Sequence, residues 1–256
     1  MSNQLHIALV QSDLFWNDPL ANKNRFDALL TSVQYADVIV LPEMFTTAFC
    51  MEGSAELMSG ASVQWMLQIA KSLNAAVCGS LIIQEDHQQY NRFVWVTPNG
   101  EIECYDKRHL FSLMGEGEQF AVGAERKLIH YKGWKIFPQI CYDLRFPVFS
   151  RNDLGYDVLL YVANWPIRRI VAWDKLLQAR SIENQSYVVG VNRVGKDINN
   201  ISFPGHSAVY DALGETLVFL GEKEKVELIV LDKEALIKTR ERLPFLKDVD
   251  GFTLSS

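Results

Sequence analysis

Short apolar runs bounded by turn residues alternate along this chain with stretches whose apolar residues recur every three or four positions. The first pattern predicts buried strands and the second amphipathic helices. Residues 6–10 read as a buried strand. Phe26, Leu29, Leu30 and Val33 follow at helical spacing, and residues 37–41 form a second apolar strand ending at Pro42-Glu43. Val63, Met66, Leu67 and Ala70 make another helical stripe, and residues 75–83 another strand. Three hairpins are predicted from turn residues between apolar runs. They join 92–97 to 101–106 through Pro98-Asn-Gly100, 128–131 to 134–137 through Lys132-Gly133, and 207–210 to 215–220 through Asp211-Ala-Leu-Gly214. Residues 158–162 are a buried strand ending at Asn164-Trp-Pro166. Trp173, Leu176, Leu177 and Arg180 suit one helix face, and 187–192 and 226–231 are strands, the second followed by a helix over 233–240.

Helices mixed with hairpins and buried strands predict an α/β chain of mixed sheets covered by helices. No repeat, low-complexity tract or linker divides residues 1–256, so one domain is expected. From Leu243 the periodicity weakens, as in a loop or an arm docking on a neighbouring subunit.

Composition narrows the partners more than the fold. The 256 residues are 48% hydrophobic and carry a formal charge of −6, enough to bury a large core and the wrong sign for electrostatic capture of nucleic acid or anionic lipid. The start has no basic region and only a short apolar run, which argues against a secretory signal, and no uncharged run reaches a membrane span. The four cysteines are widely spaced, with no Cys-x-x-Cys pair, which suggests neither a zinc site nor a disulfide framework. A reducing, cytoplasmic compartment is the expectation.

The chemistry concentrates in three segments. In Phe137-Pro-Gln-Ile-Cys-Tyr-Asp-Leu-Arg-Phe-Pro147 an apolar strand ends at a thiol, with a polar turn and then a proline suited to the first turn of a helix. Such a junction seats a nucleophile beside backbone N–H groups able to hold an oxyanion. Free cysteine is commonly a small buried hydrophobe, and Cys50, Cys78 and Cys104 fit that reading better than Cys141. In Leu41-Pro-Glu-Met-Phe45, Glu43 follows a strand, and its apolar neighbours Met44 and Phe45 are expected to raise its pKa towards a proton-carrier's range. The plainer alternative is a solvated loop acid or helix cap. In Tyr105-Asp-Lys-Arg-His-Leu-Phe111, Lys107 ends a strand, where an ammonium would lower a thiol pKa and stabilise an oxyanion, or simply sit on the surface. His109 offers a rival Cys–His arrangement, though neither it nor His206 has an evident orienting partner in sequence. Glu116 and Glu118 lie in a polar glycine-rich loop that lacks phosphate-cradle spacing; a second carboxylate there would orient an amide nitrogen or a water.

Together these segments resemble the nitrilase superfamily, the carbon–nitrogen hydrolases, over nearly the whole chain. The family's Glu, Lys and Cys map in order to Glu43, Lys107 and Cys141. Tyr161-Val-Ala-Asn-Trp-Pro166, Ala179-Arg-Ser-Ile-Glu-Asn-Gln185 and Gly205-His-Ser207 look like further landmarks. The resemblance is strongest to the omega-amidase branch and implies a four-layer α-β-β-α sandwich, a homodimer, and hydrolysis of the terminal amide of short 2-oxo dicarboxylic monoamides such as 2-oxoglutaramate and 2-oxosuccinamate. It implies neither metal nor organic cofactor, and no partner beyond the small amide and water. The family's second glutamate maps best to Glu116, with Glu118 two residues away as the alternative.

In the mechanism this implies, Glu43 takes the Cys141 proton, Lys107 and the Tyr142 backbone N–H hold the oxyanion, and water cleaves a thioester with Glu116 as an orienting carboxylate. The substrate's free carboxylate needs a cation. Arg108, Arg145, Arg168 and Arg193 are the candidates, Arg145 having Asp143 or a helix end as rival partners. Phe45, Phe111, Tyr142 and Trp165 are expected to wall the pocket. Competing readings are an aliphatic amidase, an N-carbamoyl amide hydrolase or a nitrilase on the same three residues, and a non-catalytic binding protein of the same fold.

Overall fold

The computed structural model describes residues 3–52 and 55–254. In chain order it contains β1 (Gln4–Gln11), α1 (Pro19–Leu30), β2 (Val38–Val40), α2 (Ala61–Leu73), β3 (Ala76–Glu85), β4 (Gln88–Val96) and β5 (Ile102–Asp106), then the single-turn helix α3 (Glu116–Gln119). The second half contains β6 (Ile129–Tyr131), β7 (Trp134–Ile140), β8 (Val158–Ala163), α4 (Ile170–Asn184), β9 (Tyr187–Asn192), β10 (Val194–Lys196), β11 (Ser202–Pro204), β12 (Ala208–Tyr210), β13 (Thr216–Phe219), β14 (Lys225–Asp232) and α5 (Lys233–Arg242).

Two six-stranded sheets form, in the orders β14-β1-β2-β3-β4-β5 and β13-β12-β9-β8-β7-β6. Each mixes parallel central pairs with antiparallel hairpins. The period of two along each strand builds the layers. In β1, Leu5, Ile7 and Leu9 pack towards the second sheet, whereas Ala8 and Val10 pack with Phe26 and Leu30 of α1 and with Val63 and Met66 of α2. In β4, Phe93 and Trp95 join the inter-sheet core and Val94 and Val96 the helix side. On the far side α4 covers β9 and β12 through Trp173 and Leu177. Gly190 in β9 is needed there, because a Cβ would stand 2.5 Å from Leu177. The result is the expected α-β-β-α layering.

Three local readings change. Pro147 opens a turn rather than an α-helix; the thiol itself starts a 3-10 turn, Cys141–Arg145. The short β10–β11 ribbon, which has too few apolar residues to show a period, lies outside both large sheets. Strand β4 begins at Gln88, four residues before the apolar run that revealed it. Beyond α5 the chain makes a 3-10 turn, Phe245–Lys247, and the Leu243 carbonyl accepts from Gln185 Nε2 at 2.8 Å. Among the described residues no helix is long and apolar enough to cross a membrane.

Candidate active site

The site lies at one end of the inter-sheet layer. Residue 91 has the parity of Phe93 and Trp95, so Asn91 faces the second sheet. The antiparallel β4–β5 register continues one residue past Arg92↔Asp106, with the Lys107 N–H bonded to the Asn91 carbonyl at 3.0 Å. This sets Lys107 opposite Asn91 on the same face. Across from them the chain leaving β2 turns at Pro42 and delivers Glu43.

These residues form a closed ionic cluster. Lys107 Nζ donates to Glu43 Oε1 at 2.9 Å and to both oxygens of Glu116 at 2.9 Å. Asn91 Nδ2 bridges the same acids, at 2.8 Å from Glu43 and 3.0 Å from Glu116. Glu43, Lys107 and Glu116 are each at most 1% exposed. The acid in this cluster is therefore Glu116, while Glu118 is solvent-exposed. Glu116 Oε2 also accepts from the Phe111 N–H at 2.6 Å, so its four bonds match the capacity of a carboxylate and leave none for a water. What it orients is the ammonium. Glu43 differs. Its oxygens take Asn91, Lys107 and the Asn164 N–H at 2.8 Å, leaving one acceptor site. The side chains expected to surround it point elsewhere: Met44 packs with Ile82 and Phe120, and Phe45 with Phe26 and Trp65.

Burial works against the Lys107 ammonium, but the charges of Glu116 and Glu43, with a smaller contribution from Cys141, more than offset it and hold its pKa above the ordinary lysine value. Lys107 is thus a fixed cation and not a base. The Cys141 thiol is pushed up as well: burial first, then the charge of Glu43, raises it well above the ordinary value despite the opposing charge of Lys107. In the resting site the raised thiol keeps its proton.

The elbow carrying the thiol is strained. Cys141 has φ +47°, a left-handed conformation costing a non-glycine residue on the order of 1–3 kcal/mol. Asp143 holds it in place. Its Oδ2 accepts from the Ile140 N–H at 2.9 Å and from Tyr105 Oη at 2.8 Å, and its Oδ1 accepts from the His109 N–H at 2.9 Å. One buried carboxylate thus ties the Cys141 turn to the segment carrying Lys107. His109 Nδ1 lies 2.8 Å from the same Oδ1, and His206 Nδ1 lies 3.0 Å from Asp174. Both histidines therefore have orienting carboxylates that sequence did not reveal, but His109 is stacked on Phe146 and belongs to the elbow's support. Asp143 is engaged there and not with Arg145.

A cavity of about 350 Å³ opens onto the thiol, its wall including Lys107, Phe111, Tyr142, Arg145, Asn164, Trp165 and Arg169. Of the residues expected to wall it, Phe111, Tyr142 and Trp165 do so. Phe45 does not: it is fully buried in the helix-side core. Among the arginine candidates only Arg145 borders the cavity. Arg193 is buried elsewhere, donating to Asp13 at 2.9 Å, Arg108 donates to the Gly123 carbonyl at 3.3 Å, and Arg168 is exposed. Arg169, which sequence reading passed over, borders the cavity. So do Asn164 and, indirectly, Asn192, whose Oδ1 accepts from the Trp165 N–H at 2.7 Å and whose Nδ2 donates to the Trp165 carbonyl at 3.0 Å. Extending the β4 alternation by one step would have reached Asn91; Asn164 stood in a noted landmark without a role. Among the described residues no group of three or more His, Cys, Asp or Glu is placed to hold a metal ion.

A buried Glu–Lys–Glu cluster against a cysteine on a strained elbow, between two sheets of an α-β-β-α sandwich, defines a class, and comparison with known proteins agrees. The family description "Carbon-nitrogen hydrolase" matches residues 6–241, and the chain belongs to that family. It is a hydrolase of carbon–nitrogen bonds in amides. It is 46% identical over 255 residues to the omega-amidase YafV of Yersinia enterocolitica, covering 98% of each chain, and 33% identical over 251 residues to the 2-oxoglutaramate amidase of Bacillus subtilis (strain 168), covering 95% and 96%. Among solved structures, XC1258 from Xanthomonas campestris, a CN-hydrolase superfamily protein with an arsenic adduct in its active site, superposes with a TM-score of 0.97 at 43% identity over the whole of both chains.

Proposed function

We propose that this chain is an omega-amidase-like amidohydrolase that cleaves the terminal amide of short 2-oxo dicarboxylic monoamides, 2-oxoglutaramate and 2-oxosuccinamate, through a thioester on Cys141. The observation that carries the reading is the meeting of Glu43, Lys107 and Cys141 at one cavity, supported by the names of the similar amidases. Glu43 takes the thiol proton through its remaining acceptor site as sulfur attacks the amide carbon. Lys107 and the Tyr142 N–H hold the developing oxyanion, each donor lowering the barrier by on the order of 2.7–4 kcal/mol. Glu43 returns the proton to the leaving ammonia, and then activates the water that cleaves the thioester. Glu116 acts through Lys107 as a positioning residue. Arg145, on the cavity wall, receives the free carboxylate, with Phe111 and Trp165 flanking the short carbon chain.

A homodimer and a cytoplasmic setting belong to the same reading. Leu217 and Phe219 on β13, and Leu228 and Val230 on β14, are exposed apolar side chains on the edge strands of the two sheets, which supports association. The test of function is ammonia release from 2-oxoglutaramate set beside glutamine and a simple nitrile. The oxo-amide is expected to be fastest; turnover of the nitrile with none of the oxo-amide overturns the assignment.

A further inference from the structure

The cavity wall carries two guanidiniums, those of Arg145 and Arg169. Arg25, Arg92, Arg126, Arg180 and Arg193 each pair with a carboxylate. Among the described residues Arg145 and Arg169 make no ion pair. Each lies over an aromatic ring instead, Arg145 at 5.0 Å from the centre of Trp165 and Arg169 at 4.9 Å from that of Phe111. Burial lowers the pKa of Arg169, Cys141 opposes that shift and the charge of Arg145 adds to it, so Arg169 senses both the nucleophile and the other arginine. Two acids, Glu52 and Asp197, border the same cavity; Asp197 directs Oδ1 to the N–H groups of Asn199 and Ile201 in its own loop, and neither acid pairs with Arg145 or Arg169 among the described residues.

Two like charges on one cavity wall, neither paired with an acid among the described residues, favour an anion. One fork binds a carboxylate bidentately. That fork uses two of the carboxylate's four acceptor positions, and a second fork beside it gains a further acceptor where the neighbouring carbon also carries one. A 2-oxo acid offers that acceptor. A 2-ammonium acid offers N–H donors and a positive charge, and a guanidinium has neither an acceptor nor a negative charge to meet them.

We infer that Arg169 is a specificity residue: beside Arg145 it makes the cavity accept the head of a 2-oxo acid and reject that of the matching 2-ammonium acid. This rests on the reading of the substrate as an ω-amide of a 2-oxo diacid, and it deepens that reading by naming what excludes glutamine.

Binding to the Cys141→Ala protein tests it without turnover. By titration calorimetry 2-oxoglutarate is expected to bind at least about tenfold tighter than L-glutamate, a size of discrimination typical of one charge and donor mismatch. In Cys141→Ala/Arg169→Met the ratio should collapse towards one. Cys141→Ala/Arg169→Lys should keep much of the exclusion of L-glutamate, because the charge remains, while weakening 2-oxoglutarate, because the fork is lost. Thermal melts establish that each variant is folded. An unchanged ratio in the Met variant, or equal binding of the two acids to Cys141→Ala, overturns the inference. Wild-type enzyme failing to release ammonia from 2-oxoglutaramate would instead overturn the parent reading, so the two failures are distinguishable.

Discussion

Asn164 holds Glu43 from two sides: its backbone N–H donates to the carboxylate Oε2 at 2.8 Å and its side-chain amide donates to the Glu43 carbonyl at 2.6 Å. The end of β8 in one sheet thereby fixes the acid carried on the turn after β2 in the other. Asn164→Ala keeps the first bond and orphans a buried carbonyl, a cost of about 1–3 kcal/mol. A Glu43 displaced by a fraction of an ångström loses its alignment with the thiol. We expect kcat to fall by roughly ten- to a hundredfold, with a lower melting temperature in thermal denaturation. Unchanged kcat would show that Glu43 is positioned without this residue.

Glu116→Gln should separate the charge of Glu116 from its shape. Removing one member of a buried ionic cluster typically costs about 3–5 kcal/mol. The sign of the pH effect follows from Lys107. Its native pKa is raised, so its contribution to stability is fully present below the ordinary lysine value of 10.5 and is lost as pH rises through the higher native value. Without Glu116, burial meets less opposition and the native value drops. The alkaline limb of the kcat/KM profile should move to lower pH in the variant. A limb that stays in place would mean that Lys107 does not depend on Glu116.

Gly123→Ala tests how tightly Lys107 is seated. The Gly123 N–H bonds the Lys107 carbonyl at 2.9 Å, and a Cβ at residue 123 would lie 1.9 Å from the Asp106 carbonyl oxygen. Backbone must shift at the residue preceding Lys107. The variant is expected to lose both stability and activity, read by urea unfolding and ammonia release. Full activity would show that the strand end tolerates the displacement.

Buried thiols make the protein sensitive to alkali. Burial pushes Cys104 up to about 11, and it raises Cys78 well above the ordinary value. Below the ordinary thiol value these groups are protonated in both states and their contribution is intact. Above it the unfolded chain ionises first, so stability falls as pH rises from about 8.5 to about 11. Urea midpoints measured across that range should fall, and fall less in Cys104→Ala. Parallel slopes would contradict the assignment to this thiol.

Much of the fold could be read from the chain because its layers are built on period two in strands with strong apolar parity, as in residues 5–10 and 93–96. That Glu43, Lys107 and Cys141 come close together was legible because each follows a strand in an ordered family pattern. Asn91 was not, because its polar side chain lies outside the apolar run that marks β4, although it shares that strand's inward face. The pairing of Asp143 with His109 joins residues far apart in sequence, and nothing local announces it. Phe45 looked like a pocket wall because it neighbours Glu43, but the left-handed Met44, φ +42°, precedes a side chain that turns into the helix-side core. That Arg169 makes no ion pair among the described residues is a property of what surrounds it in space.

The central claim is a covalent acyl group on Cys141, and acid-quenched mass spectrometry with peptide mapping during turnover of 2-oxoglutaramate tests it most directly. The account predicts a substrate-derived acyl adduct on the Cys141 peptide in the wild-type protein, and in Cys141→Ala neither adduct nor ammonia release above background. Ammonia released by Cys141→Ala at the wild-type rate, or an adduct that maps to another residue, would contradict it.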